Sequence, residues 1–231
     1  MIALVVAVVA AASSSANGDA VAHWPTPDRV AVTRLVVFGH SWAAGRYPDP
    51  EVTPWADRVA AVQGLALDNL AVSATDAAQT AETVDAYQPR RGDVVIVEAM
   101  LNDVRKYGAP GIRSFRHQTR RILDHLTQGR VRPAGIVVCV DAPIRLWGSS
   151  PAFDGYDRGS DVVLSRYGIA LRKVAARYRR FHARVVDLGR GWDAREDIGS
   201  DGIHPNDAGM GRLADLINRA LISLSRPRTT A

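Results

Sequence analysis

The sequence predicts a single-domain α/β protein in which a parallel β-sheet lies between two layers of helices, a three-layer α/β/α arrangement. Five short segments are rich in Val, Ile and Leu, as strands buried on both faces are. Each is followed by a stretch of helical composition or period. The chain has 231 residues, of which 47% are hydrophobic and 23% charged, which suits one domain with a sizeable core.

The predicted strands are bounded by residues that turn the chain. The first has the sequence RLVVF and ends at Gly39, and the third has the sequence DVVIVEA. In order, the five predicted strands are residues 34–38, 65–72, 93–99, 135–140 and 184–188. Right-handed crossovers between parallel strands make a doubly wound, flavodoxin-like strand order the natural arrangement.

The predicted helices follow from capping signals and periodicity. Pro54 is tolerated in a first turn and Gly64 closes the same helix. Further along, apolar residues between 112 and 126 fall on one helical face. In order, the predicted helices are residues 54–62, 76–87, about 112–126, 161–178 and 206–224, with one long loop at 141–160.

Charge and cysteine content exclude several classes of protein. The net charge is +5, but the arginines are scattered and no nucleic-acid motif appears, so a nucleic-acid partner is not expected. A single cysteine excludes internal disulfides and cysteine-based zinc sites. Cys139 lies in an apolar run and is predicted to be a buried small hydrophobe. His23, His117, His125 and His182 show no metal-ligand spacing with cysteines or carboxylates.

Residues 1–22 are predicted to form a signal peptide, with an uncleaved N-terminal anchor as the alternative. The apolar run 2–12 is shorter than the roughly 20 residues of a membrane-spanning helix. Small residues at 14–16 or 20–22 suit a cleavage site, although no Lys or Arg precedes the run. We therefore expect export, with membrane contact only through this segment, and a folded domain at residues 33–226.

Polar residues follow the predicted strands at the edge where parallel α/β sheets hold their sites. Ser41 follows the first strand, and Asn102 follows the third. Asp201 and His204 lie three residues apart just before the last helix. A serine needs a neighbouring imidazole to take its proton, and the imidazole needs a partner that fixes its tautomer. Each residue alone suits a cap or turn, but together they predict a triad of Ser41, His204 and Asp201, with Asn102 donating to an oxyanion.

These blocks resemble the SGNH hydrolase family, also called GDSL-like lipases and esterases. The segment 201–206, with the sequence DGIHPN, resembles its Asp-x-x-His block, and Asn102-Asp103 resembles its Asn-Asp block. Ser41 stands where the family has its nucleophile. The resemblance implies ester or thioester hydrolysis without metal or cofactor, and an oxyanion hole formed by Ser41, Ala74 and Asn102.

Three positions depart from the family pattern. His40 stands where the family usually has Asp, and Ala74 and Met100 each replace a glycine. The Ala74 N–H can still donate to an oxyanion, but its methyl group is strained if the position needs a positive φ. These changes keep open an alternative function, a catalytically silent carbohydrate- or envelope-binding domain on the same fold.

A second family offers another interpretation of the serine. Residues 39–43, with the sequence GHSWA, resemble the nucleophile elbow of α/β-hydrolases. However, this serine follows the first strand, and its acid and histidine are almost adjacent, which that family does not show.

The sequence predicts the substrate only as a broad class of esters. Export and basic charge suit removal of small acyl groups from envelope glycans, and the family resemblance also implies lipid or aryl ester substrates. His40, Trp42 and Trp147 are candidate substrate contacts, although His40 also suits a structural role beneath the nucleophile. Trp147, Phe153 and Tyr156 of the long loop could line a pocket or simply pack that loop onto the domain.

Overall fold

The computed structural model describes residues 31–45, 51–147, 156 and 158–225. The predicted signal segment at 1–22 and Phe153 lie outside these residues. The strands are β1 (Arg34–Gly39), β2 (Ala66–Asn69), β3 (Asp93–Glu98), β4 (Gly135–Val140) and β5 (Ala183–Asp187). The helices are α1 (Ser41–Ala44), α2 (Trp55–Gln63), α3 (Ala77–Ala86), α4 (Leu101–Tyr107), α5 (Ile112–Gln128), α6 (Asp161–Ala175), α7 (Ala194–Asp197) and α8 (Asp207–Ser225).

The five strands form one parallel sheet in the order β2-β1-β3-β4-β5. This is the flavodoxin-like order, so the predicted fold class is confirmed. The order places β1, β3 and β4 side by side in the centre. Side chains that follow these three strands therefore meet at one edge of the sheet.

Successive residues of the central strands point to opposite faces of the sheet, as the strand period of two requires. Leu35 and Val37 pack in the core cluster that includes residues of α2 and α8. Val36 and Phe38 pack in a second cluster with residues of α3, α5 and α6. The sheet is thus covered on both faces, which explains why its central strands are apolar throughout.

Three short helices were not predicted. They are α1, α4 and α7, of four to seven residues, too short to show a helical period. The predicted helix 161–178 divides into α6 and a 3-10 helix at Ala176–Phe181. Strand β2 ends at Asn69 rather than at 72, although Leu70 and Val72 still donate to carbonyls of β1. Within the described residues, no helix is both long and apolar enough to cross a membrane.

Candidate active site

The structure brings the three predicted triad residues together. Ser41 is the first residue of α1, directly beyond β1. His204 Nε2 lies 2.8 Å from Ser41 Oγ, and His204 Nδ1 lies 2.5 Å from Asp201 Oδ2. The imidazole therefore bridges a hydroxyl and a carboxylate, the geometry in which a serine can lose its proton to histidine.

The loop that carries Asp201 and His204 is closed by its own hydrogen bonds. Asp201 Oδ1 accepts from the backbone N–H groups of Ile203 and His204, both at 2.9 Å. Gly202 has a φ of +75°, in the left-handed region that favours glycine. An antiparallel bridge between Ile198 and Pro205 closes the base of the loop. The acid and the base are thus held as one unit.

Asp201 is kept as a carboxylate by the same contacts. Burial alone would raise its pKa, because water solvates the charged form. Hydrogen bonds from the His204 ring and from the Ile203 and His204 amides outweigh burial and hold the pKa of Asp201 below its ordinary value. An ionised Asp201 fixes the Nδ1–H tautomer of His204 and leaves Nε2 facing Ser41.

Asn102 lines a cavity together with Ser41 and His204. It is the second residue of α4, and its Nδ2 donates to the carbonyl of Thr75 at 2.8 Å. An amide nitrogen carries two hydrogens, so one remains for a ligand. A cavity of about 180 Å³ joins this amide to the triad, and its lining residues are Ser41, Ser73, Ala74, Leu101, Asn102, Arg105, Tyr156, Ile203 and His204.

The two glycine replacements have different structural consequences. Ala74 has a φ of +65°, so it adopts the left-handed conformation that a glycine would adopt without strain. Its carbonyl accepts a hydrogen bond from Lys106 Nζ at 3.0 Å. Met100 has a φ of −145° and is buried in the core, so its position makes no demand for glycine.

The three candidate substrate contacts, His40, Trp42 and Trp147, do not line the cavity beside Ser41. Trp42 is fully buried, and its indole donates to the carbonyl of Ile203 at 3.1 Å, which ties α1 to the loop of the acid and base. His40 is also buried, with Nε2 3.1 Å from Asp141 Oδ2. The indole of Trp147 donates to Asp161 at 2.6 Å and packs against both core clusters.

Arg105 is a pocket residue that the sequence analysis missed. It lies one helical turn beyond Asn102, and its guanidinium carbon lies 4.8 Å from the ring centroid of Tyr156, one of the aromatic residues considered for the pocket. Burial lowers the pKa of Arg105, an effect that Tyr156 and Asp201 oppose, and a guanidinium remains charged in proteins. The signal that could have found it is the spacing of three residues from Asn102, but that spacing has meaning only once α4 is recognised as a helix.

One cluster in the described part of the chain has the residue types of a metal site. Donor atoms of His40, Glu98 and Asp141 lie within 4.8 Å of one another, and all three side chains are buried. The cluster lies beneath Ser41 and does not line the cavity.

Comparison with known proteins places these blocks in a family. The model described as "GDSL-like Lipase/Acylhydrolase family" matches residues 37–212, which include Ser41, Asn102 and His204. No curated protein matches the sequence.

Solved structures share the fold at low sequence identity. A carbohydrate acetylesterase, Est24, from Sinorhizobium meliloti is 18% identical with a TM-score of 0.65, over 83% of this chain and 99% of that one. An aryl esterase from M. smegmatis is 19% identical with a TM-score of 0.64, over the same shares of the two chains. A lipase/acylhydrolase from Enterococcus faecalis is 15% identical with a TM-score of 0.61, over 86% of this chain and 100% of that one. With its family match, strand order and sequence blocks, the chain belongs to the GDSL-like lipase/acylhydrolase family, the SGNH hydrolases, and is a hydrolase of esters.

Proposed function

We propose that this hydrolase is a serine esterase that cleaves small acyl esters through an acyl-enzyme on Ser41. The observation that carries the proposal is the position of the His204 ring, 2.8 Å from the Ser41 hydroxyl and 2.5 Å from the Asp201 carboxylate. A nucleophile hydrogen-bonded to its base, with the base oriented by an acid, is the signature of this chemistry.

The proposed reaction has two halves. His204 Nε2 takes the Ser41 proton as Oγ attacks the ester carbonyl, and the imidazolium then gives that proton to the departing alcohol. Water repeats the sequence on the acyl-enzyme and releases the acid. The amides of Ser41 and Ala74 and the side chain of Asn102 donate to the oxyanion in both halves. One such donor contributes roughly 3–4 kcal/mol of barrier lowering in a related site.

The size of the cavity supports a short acyl group. Its volume of about 180 Å³ lies below the roughly 300–1,000 Å³ of pockets that hold drug-sized ligands. We therefore propose acetyl or similarly short esters of small molecules or glycans as substrates. The carbohydrate acetylesterase and aryl esterase among the structural neighbours support this class. Export through residues 1–22 remains part of the proposal and would bring the enzyme to envelope glycans.

Replacement of Ser41 tests the assignment. We expect Ser41→Ala to abolish hydrolysis of p-nitrophenyl acetate, because no other group replaces the attacking oxygen. Ser114→Ala, an exposed serine on α5, is the matched control and should leave turnover unchanged. The protein should hydrolyse p-nitrophenyl acetate faster than esters of longer fatty acids.

Labelling separates an esterase from a silent binding domain. A fluorophosphonate should label the protein and the Ser114→Ala variant but not Ser41→Ala. Undiminished hydrolysis by Ser41→Ala would falsify the nucleophile. If the unmodified protein neither reacts with the fluorophosphonate nor hydrolyses esters, the result would instead support the silent carbohydrate- or envelope-binding domain.

A further inference from the structure

Three buried ionisable side chains lie at the carboxyl ends of the central strands. His40 follows β1, Glu98 ends β3 and Asp141 follows β4, and these strands are neighbours in the sheet. None of the three is more than 2% exposed. His40 Nε2 lies 3.1 Å from Asp141 Oδ2, and His40 Nδ1 lies 3.9 Å from Glu98 Oε2. The imidazole is thus placed between two carboxyl groups.

Charge balance in this cluster requires positive charge or protons. Two ionised carboxylates buried together would be strongly unfavourable without compensation. Among the described residues, Asp103 of α4 and Cys139 of β4 also interact with the cluster, and neither supplies positive charge. The Trp55 indole and the Ala43 amide also face Glu98, and both are neutral. The positive charge in this cluster can therefore come from a protonated His40.

The direction of the pKa shifts agrees with this charge balance. Burial disfavours the charged imidazole, but Glu98 and Asp141 outweigh burial and raise the pKa of His40 to about 9. Burial raises the pKa of Glu98 to about 8. At neutral pH the His40 imidazole is then cationic. In the neutral ring, His40 Nδ1 accepts a long hydrogen bond of 3.5 Å from Trp42 N and so caps α1. Protonation of Nδ1 gives up this contact and leaves an N–H that faces Glu98 Oε2 at 3.9 Å.

Asp141 connects this cluster to the oxyanion helix. The same Oδ2 that faces His40 accepts a hydrogen bond from the N–H of Leu101 at 2.6 Å, at the start of α4. Met100, at the N-cap position of α4, makes no side-chain hydrogen bond to the helix, so the Asp141 carboxylate, from the loop after β4, accepts from its first N–H instead. One carboxylate oxygen thus contacts the residue before Ser41 and the residue before Asn102.

We propose that His40 is a positioning residue, whose imidazolium, held by Asp141 and Glu98, sets the placement of the nucleophile helix α1 relative to the oxyanion helix α4. The inference rests on the proposed function, since it assigns Ser41 and Asn102 their roles. A shift of about 1 Å between reacting groups can lower a rate by roughly 100-fold. His40 would thus affect the rate of acylation without touching the substrate.

The protonation state can be measured without any activity. In ¹⁵N-labelled protein, imidazole nitrogen shifts distinguish a ring with two N–H groups from a neutral ring, and loss of one signal in His40→Gln assigns it. We expect His40 to remain doubly protonated above the ordinary histidine pKa of about 6.5. Glu98→Gln should move its deprotonation to lower pH, because the carboxyl group that most favours the cation is gone. A neutral His40 ring at neutral pH would overturn the inference.

Kinetics test the positioning role. His40→Gln keeps a side-chain N–H for Asp141 but removes the charge. We expect kcat on p-nitrophenyl acetate to fall between about 10-fold and 100-fold with little change in KM, and fluorophosphonate labelling to slow in proportion. The unmodified enzyme should lose activity as pH rises through about 9, and Glu98→Gln should shift this decline to lower pH. His117→Gln, an exposed histidine of α5, is the matched control and should change none of these.

The outcomes separate this inference from the proposed function. An active unmodified enzyme with an unchanged kcat and pH profile in both His40→Gln and Glu98→Gln would contradict the inference and leave the esterase intact. A protein that neither labels nor turns over esters would contradict the proposed function, while the nitrogen shifts still report on His40. Tightly bound zinc or another divalent ion in stoichiometric amount, with loss of activity on chelation, would show that the cluster binds metal and overturn the inference.

Discussion

Ala74 has the backbone conformation of a glycine although it carries a side chain. Its φ of +65° places it in the left-handed region, next to the carbonyl that holds the Asn102 amide. A left-handed conformation costs an alanine roughly 1–2 kcal/mol. Such strain is maintained only when surrounding contacts fix the backbone, and here Lys106 bonds to the Ala74 carbonyl. The strain therefore lies at the edge of the proposed oxyanion site.

Replacing Ala74 with Gly should relieve this strain. We expect Ala74→Gly to stabilise the protein by about 0.5–1 kcal/mol, because the relief is partly offset by the greater freedom of glycine in the unfolded chain. Chemical denaturation with both variants gives the difference in the free energy of unfolding. Ala43→Gly, a residue of α1 with no such strain, should instead destabilise. A destabilised Ala74→Gly would show that the left-handed backbone carries no strain.

At the scale of elements, α4 is the helix on which the site most depends. It is fixed at its start by Asp141 and near its end by Asp76, the N-cap residue of α3. Asp76 accepts from two amides of its own helix and from the Tyr107 hydroxyl and Lys106 Nζ of α4. One carboxylate thus caps α3 and holds the last turn of α4 against it.

Asp76→Ala should destabilise the protein in a pH-dependent way. Loss of an N-cap costs about 1–2 kcal/mol. Burial would raise the pKa of Asp76, but hydrogen bonds from Gln79, Tyr107 and Lys106 outweigh burial and hold the pKa below its ordinary value. Its stabilisation is therefore complete above the unfolded pKa of about 3.9 and is lost as pH falls through the lower folded value.

The measurement is urea denaturation of the protein and the variant across acid pH. The difference in the free energy of unfolding should be constant near neutrality and shrink below about pH 4. Asp76→Asn, which retains capping ability, should destabilise less than Asp76→Ala. A difference that grows in acid would contradict the assigned sign.

The strands could be predicted from the sequence because a strand buried on both faces is a continuous run of apolar residues, such as 135–140. The sequence also predicted that Ser41, Asp201 and His204 would lie close together, because the carboxyl ends of parallel strands lie at the same edge of the sheet. It could not predict α4, because the carboxylate that accepts from its first N–H belongs to Asp141, 40 residues further along the chain. Nor could it show whether His40 faces inward, since the two carboxyl groups that hold it lie far away in the chain.

At the scale of the whole molecule, the sheet separates two apolar layers and places Cys139 in its interior. This residue of β4 is fully buried and packs in the cluster that contains α2 and α8. Burial raises the pKa of its thiol well above the ordinary value. The prediction of a buried small hydrophobe is thus confirmed.

The only cysteine of the chain should report on global unfolding. We expect the native protein to react very slowly with an aromatic disulfide reagent, because the thiol is inaccessible and not ionised. In denaturant one equivalent should react at once. The dependence of the reaction rate on urea should follow the unfolding curve seen by circular dichroism. Rapid reaction of the native protein would show that β4 opens locally.

The self-closed loop between Ile198 and Pro205 has a practical consequence for engineering. Asp201 and His204, the proposed acid and base, follow the turn at 188–191, whereas the proposed nucleophile Ser41 and the proposed oxyanion donors precede it. Cutting the chain at that turn would give two fragments, each lacking part of the proposed triad, and we expect them to associate through the apolar surface between α8 and the sheet. Release of a coloured alcohol would then signal reassembly, so fusion partners attached at the cut could be assayed for association in a split-reporter format.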